Sequence, residues 1–395
     1  AYVCGWFLTL GYLAIVPLNA TALALLGKFV FPDLFARGYL YSIAGFDVYA
    51  GEILLASTAI IVFGWFNYRG VRVVGQTQVL LLLVMVAAVL LLATGSVLDT
   101  GSTLANLRPP FAPGRSVMSG VLAIVAIAPW MLSGFDTLPQ AAEEFAFSPA
   151  QAFRLMLLSI ALGVILYLTV LLATSYLMPW PELVAAHPAW ATGVAIEQTL
   201  GSIGVAILSL AVLMGIFTGM NGFFMAASRL MFSMGRAKIL PAWFGRLSPA
   251  YGTPSNAIFF AVAISLLAPW FGRPALLWVV DMSAVGIAMG FLYTCTAASS
   301  LLKAQPQRAP VRCGPGLAIA GVIASAGFIG LLIVPGSPAF MATPSWIALA
   351  GWVTLGRAFY LTRVAHLGKM TRAELDYLIL GKGRSDPPHG GLGKS

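Results

Sequence analysis

The residues best placed to do chemistry lie together at 129 to 144. Pro129-Trp130-Met131-Leu132-Ser133-Gly134-Phe135-Asp136-Thr137-Leu138-Pro139 is followed closely by Glu143-Glu144. The surrounding sequence is apolar, yet this stretch holds a glycine, a carboxylate and two prolines. Hydrocarbon offers a broken backbone no hydrogen bonds, so such a break is tolerated only inside protein or along a water-filled cavity. A carboxylate at mid-helix costs about 2.5–3.5 kcal/mol to insert, which calls for a partner, a cavity or a proton. Asp136 between Gly134 and Pro139 sits where a helix would end and restart. It could cap the second half, and the free N–H groups there favour an anionic group such as a carboxylate. Trp130 reads either as packing or as an aromatic lid over a bound solute. Glu143 and Glu144 read as a solvated helix end or as a gate pair with basic side chains.

Elsewhere the candidates are sparse. Asp281 stands a turn or two from a surface and reads as water-reaching or as a second site carboxylate. Thr218 and Asn221, in Thr218-Gly219-Met220-Asn221-Gly222, supply hydroxyl and amide groups to a long apolar run. They read as polar glue between helices or as ligands for a cation or solute. Three scattered cysteines (Cys4, Cys295, Cys313) and three histidines (His187, His366, His389) give no metal spacing. No cofactor, metal site or catalytic constellation is expected, so an enzyme is disfavoured.

The elements that must position these groups are membrane helices. Of 395 residues 59% are hydrophobic and 9% charged, against about 25% charged in soluble domains. The mean hydropathy is +0.91. Ten segments approach the roughly 20 residues needed to span: 2–31, 51–66, 74–95, 116–142, 153–178, 199–232, 255–272, 275–300, 315–335 and 345–362. The fourth and sixth are long, which suits tilt, a break or an interfacial start.

Alternating the loops places 17 Lys and Arg on one side and 5 on the other. The richer side, which includes the C-terminus, is expected to be cytoplasmic. The net charge of +9 is spread over loops and tail rather than along a stripe, so it is no nucleic-acid signal. The expected organisation is a bundle over 1–369 and a flexible, Gly- and Pro-rich tail over 370–395. The many glycines read mainly as sites of close helix packing.

Read together, several motifs resemble the amino acid–polyamine–organocation transporter superfamily. They are Gly134-Phe135-Asp136 with Glu143-Glu144, Asn221-Gly222 with Ser228-Arg229 and Gly235-Arg236, Leu240-Pro241, Thr253-Pro254, and Asn67-Tyr68-Arg69-Gly70-Val71. The resemblance covers nearly the whole chain. It implies an all-α, polytopic bundle of the LeuT-type inverted-repeat fold, with about ten helices corresponding to the family's third to twelfth. The start at Ala1-Tyr2-Val3, within an apolar run and without Met, then reads as a chain whose first two helices lie upstream.

The resemblance also implies secondary transport of amino acids by alternating access, in a bacterial inner membrane. It places Trp130 at the aromatic gate and Ser133, Gly134, Phe135 and Asp136 in the unwound substrate segment. Thr218 and Asn221 face that segment, and Glu143, Glu144 and Asp281 are candidates for gating or coupling. The expected partners are an amino acid or polyamine, protons and the bilayer. Many proton-coupled members carry a Lys in the helix that here reads Val79-Leu80-Leu81-Leu82-Leu83-Val84-Met85. Met85 falls near that position, which leaves exchange, or proton coupling through Asp136 or a glutamate, in its place. A non-transporting nutrient receptor is the remaining alternative.

Overall fold

The computed structural model describes residues 2–70, 74–114, 116–144, 148–185, 190–304, 314–367 and 374. Each of the ten expected spans corresponds to helical chain. Among the described residues, eight helices are long and apolar enough to cross a membrane: Tyr2–Val30 (α1), Ala50–Arg69 (α3), Gln78–Leu98 within Val74–Leu98 (α4), Val117–Gln140, Ala150–Leu177 within Pro149–Leu177 (α6), Ala191–Arg236 (α8), Pro274–Ala304 (α10) and Gly314–Ile333 (α11). The seventh expected span is a short helix, Ser255–Ser265 (α9), followed by a 3-10 turn, Ala268–Phe271. The tenth is Thr343–Leu367 (α12), which carries Arg357 and Arg363 in its second half. Two short helices, Pro32–Phe35 (α2) and Trp180–Ala185 (α7), lie in the connections. The tail expected over 370–395 lies outside the described residues apart from Glu374.

Local sequence sets the ends. Ser148 and Gln151 form a reciprocal cap at the start of Pro149–Leu177 (α6), with Pro149 at the first turn, where its missing N–H costs nothing. Gly70 ends α3 in the left-handed conformation. The sixth span lies within Ala191–Arg236 (46 residues), which Gly201, at φ 63 and ψ -158, divides into two helices. The longer one begins just past that bend, close to the start expected at 199, and at about 1.5 Å per residue it is long enough to cross the hydrocarbon.

The core is built around α1. The backbones of α1 and α10 touch: a Cβ on Gly286 would lie 2.5 Å from the Phe7 carbonyl oxygen and 2.6 Å from the Gly11 nitrogen. Side chains therefore cannot stand between the two helices, which is how glycine lets membrane helices pack without a hydrophobic driving force. At one end of α1, Trp6 and Trp352 stack at 4.3 Å. Each indole N–H donates to the other residue's carbonyl, at 3.0 and 3.2 Å.

Contacts between the connections sort them into two sets. Tyr41 donates to the Trp270 carbonyl at 2.5 Å, and Arg273 lies over the Phe46 ring at 4.3 Å. At the opposite end, Thr253 donates to the Tyr68 carbonyl at 2.6 Å, Tyr2 to that of Gly356 at 2.5 Å, and Arg363 to that of Lys238 at 3.2 Å. These are the groupings that alternate crossing requires of the ten spans. The first set also contains an antiparallel hairpin, Tyr39–Ile43 (β1) with Phe46–Tyr49 (β2), between the first two spans.

Candidate functional site

The helix Val117–Met131 (α5) stops inside the apolar region. Residues 132–134 form a tight turn, and the chain resumes as a 3-10 helix, Phe135–Glu144. Pro139 has no N–H to give to a regular helix, and Gly134 adopts φ +126, which side-chain-bearing residues rarely take. The interruption expected from Pro129, Gly134 and Pro139 is therefore a feature of the fold.

Four of the carbonyls around the break have partners, which burial demands. That of Trp130 accepts from the Ser133 N–H at 3.1 Å and the Ser133 hydroxyl at 2.8 Å. That of Met131 accepts from the Tyr167 hydroxyl at 2.7 Å. That of Gly134 takes the Thr137 N–H at 3.1 Å and hydroxyl at 2.6 Å. That of Asp136 accepts from the Tyr12 hydroxyl at 2.9 Å. Side chains from α1 and α6 thus hold the break open in a fixed shape.

Asp136 does two things at once. Its Oδ1 accepts the Gly134 N–H at 2.8 Å, which is the capping role. Its Oδ2 is buried and has no hydrogen-bond partner among the described residues. A buried polar oxygen left unpaired costs free energy until it meets a donor. This oxygen can receive a proton or the N–H of an ammonium group.

On the other side of the turn lies a cavity of about 500 Å³, a size usual for small-molecule sites. Residues 131–135 form one wall; α4, α6 and α8 supply the rest, including Met85, Gly163, Tyr167 and Gly215. Its walls are apolar apart from Ser133, Ser159 and Tyr167. Met85 is thus part of the same lining as the broken segment.

Ser133, Gly134 and Phe135 line the cavity, whereas Asp136 turns toward Tyr12. Phe135 packs against Phe291 of α10, ring centroids 5.9 Å apart. Trp130 packs, half-buried, against the core beside the turn. Thr218 bonds back to the carbonyls of Met214 and Gly215 on its own helix, at 3.0 and 2.9 Å. The side-chain oxygen of Asn221 accepts from the Asn67 amide at 3.1 Å, tying α8 to α3. Asp281 accepts from the Ser345 hydroxyl at 2.7 Å, at the start of α12. The structure therefore brings 130 to 136 together and gives Thr218, Asn221 and Asp281 partners of their own. Glu143 and Glu144 close the 3-10 segment; their side chains lie outside the described residues.

Tyr12 and Tyr167 escaped the sequence reading because each lies in an apolar run, far along the chain from the backbone it serves. A tyrosine in the middle of a spanning segment is the signal that could have found them, since its hydroxyl needs a partner there. Tyr12→Phe removes one hydrogen bond of about 0.5–1.5 kcal/mol from the break. The variant is expected to unfold at a lower temperature in detergent than the parent, as a thermal-shift measurement would show. An unchanged midpoint would mean that the Tyr12 bond does not hold the break.

These features define a polytopic membrane protein organised around a discontinuous helix with a solute-sized cavity beside the break. The family model described as amino acid permease matches residues 1–355, and the chain belongs to that family. An uncharacterized transporter of Rhizobium meliloti is 31% identical over 60% of this chain and 50% of its own length. The methylthioribose transporter of Bacillus subtilis is 26% identical over 78% of this chain and 65% of its own. A branched-chain amino acid permease of Lactococcus lactis is 25% identical over 84% of this chain and 71% of its own. The chain thus spans between half and about two thirds of the length of the first two. The family and these relatives are transporters, not enzymes.

Proposed function

We propose that this chain carries amino acids across a bacterial cytoplasmic membrane as a secondary permease working by alternating access. The observation that carries the reading is the interruption at 132–134 with the open Asp136 Oδ2 beside it. Discontinuous helices of this kind hold substrates near mid-membrane in secondary transporters. In this reading Ser133, Gly134, Phe135 and Asp136 meet the substrate, and Trp130 closes over it. Thr218 and Asn221 support the facing helix, while Glu143, Glu144 and Asp281 contribute to gating or coupling. The excess of Lys and Arg on one set of loops supports a cytoplasmic C-terminus, with the tail over 370–395 on that side.

The apolar cavity walls favour a neutral side chain, in keeping with the branched-chain permease among the relatives. The second reading is an amino acid or polyamine exchanger. The open carboxylate oxygen of Asp136 favours it, because an amine would satisfy that oxygen directly. Uptake of radiolabelled amino acids and polyamines into proteoliposomes by the full-length protein tests both. A symporter accumulates label under an imposed pH gradient, whereas an exchanger requires substrate loaded inside. Neither uptake nor exchange of any of these solutes would overturn the proposal, and binding without flux would indicate a receptor.

A further inference from the structure

The connection between α1 and α3 carries more apolar surface than a water-facing loop should. Residues 31–49 contain only three charged side chains, Asp33, Arg37 and Asp47. Phe31 and Leu34 are each 59% exposed, Tyr39 58% and Leu40 44%. Facing them from the α9–α10 connection, Trp270 and Phe271 are 52% and 44% exposed.

This surface is not a loose loop awaiting burial. The hairpin turns on Ala44 and Gly45, both at positive φ, as a two-residue hairpin connection requires. Val48 is fully buried, and Gly272 abuts it so closely that a Cβ there would lie 2.9 Å from the Val48 methyl. The Ala50 N–H donates to the Gly38 carbonyl at 2.8 Å, and the Tyr41 hydroxyl and the Arg273 guanidinium complete the attachment. The chain has fixed the hairpin and the 268–271 turn against each other, and α2 against α3 through Phe35 and Gly51, with Phe31, Tyr39, Trp270 and Phe271 outward.

The position of that body supplies the reason. It lies at the ends of α1, α3, α9 and α10, where the spanning surface stops. The exposed apolar face continues directly into α3, where Leu54 is also exposed. Tyrosine and tryptophan at such a boundary sit at headgroup level, with an apolar ring toward the acyl chains and a polar edge toward water. Short amphipathic elements bury an apolar face about 5–10 Å into that layer.

We infer that α2, the hairpin and the 268–271 turn form a foot that rests in the lipid headgroup layer on that side of the membrane. Phe31, Leu34, Leu40 and Phe271 reach the acyl boundary, and Tyr39 and Trp270 lie at the headgroups. The foot fixes the ends of α1, α3 and α10 relative to the bilayer plane. The inference does not depend on the transported solute.

Spin labels test it in the full-length protein reconstituted in phosphatidylcholine–phosphatidylglycerol vesicles. Cys4, Cys295 and Cys313 are first replaced by alanine. Labels are then placed singly by Leu34→Cys, Leu40→Cys and Phe271→Cys, with Thr103→Cys in another exposed connection as the reference. Relaxation by oxygen is expected to exceed relaxation by a water-soluble nickel chelate at 34, 40 and 271, and to fall short of it at 103. Nickel accessibility at 34, 40 and 271 equal to that at 103 would show a water-facing loop and overturn the inference. Low accessibility to both reagents, or dipolar broadening between copies, would show a protein partner in place of lipid and overturn it equally.

Discussion

Gly134→Val is expected to reduce transport by roughly five- to a hundredfold while the protein still inserts and purifies as a folded species. A Cβ at Gly134 would meet nothing within 4 Å, so crowding is not the reason. The reason is φ +126, which a β-branched residue reaches only at a cost of about 1–3 kcal/mol. The chain can relieve that strain by rotating the 132–134 turn. Rotation would move the Gly134 N–H off Asp136 Oδ1 and the Met131 carbonyl off Tyr167, dismantling the site without touching the core. Gly134→Ala should fall between the two. Initial uptake rates, set beside elution profile and helical content, check this. Uptake by Gly134→Val equal to the parent's would mean that the turn tolerates other shapes and does not define the site.

Asp136→Asn carries the second large effect. The substitution keeps a side-chain oxygen to accept the Gly134 N–H, so the cap survives. It replaces the open Oδ2 with an NH2 group that donates where the carboxylate accepted. If that oxygen meets the substrate's ammonium or the coupling proton, transport falls at least about tenfold, which corresponds to roughly 1.4 kcal/mol. The dependence of uptake on external pH should flatten at the same time. Asp136→Leu loses the cap as well and is expected to fold less well, so the pair separates the two roles. Kinetics of the Asn variant matching the parent's at every pH would leave Asp136 as a helix cap alone.

What was legible in the sequence follows from the range over which each feature is determined. The break is local: Pro129, Gly134 and Pro139 lie within eleven residues, and each restricts its own backbone whatever lies around it. The ten spans are legible for the same reason, because apolar length is a local property. The partners are not. Tyr12 reaches Asp136 across 124 positions, and Asn67 reaches Asn221 across 154. Before the helices were assembled, Asn221 was equally compatible with a ligand role and with helix–helix glue. Its bond to Asn67 supplies a structural use for it, while Asp136 Oδ2 is left with no donor to accept from.

Two further features escaped for different reasons. The hairpin at 39–49 alternates only weakly, since Leu40 faces outward beside Tyr39, and its turn uses Ala44-Gly45 rather than Asn-Gly. The start expected at 199 falls two residues from the bend, but one unusual φ among many helical glycines leaves no mark on composition that would assign it to Gly201. Met85 is the opposite case. It stood out only as a departure from a family pattern, and the structure places it on the wall of the same cavity that the break lines.

The central claim is that the break faces a hydrated pocket within the bilayer and that substrate fills it. Ser133 is the residue to use, since it lies on the cavity wall at the turn itself. Ser133→Cys in the full-length protein, with Cys4, Cys295 and Cys313 replaced by alanine, should react with a charged, water-soluble thiol reagent in proteoliposomes. Saturating transported amino acid should slow that reaction, and a non-transported one should not. A thiol at 133 that only lipid-soluble reagents reach, or one that reacts at the same rate with and without substrate, would contradict the claim.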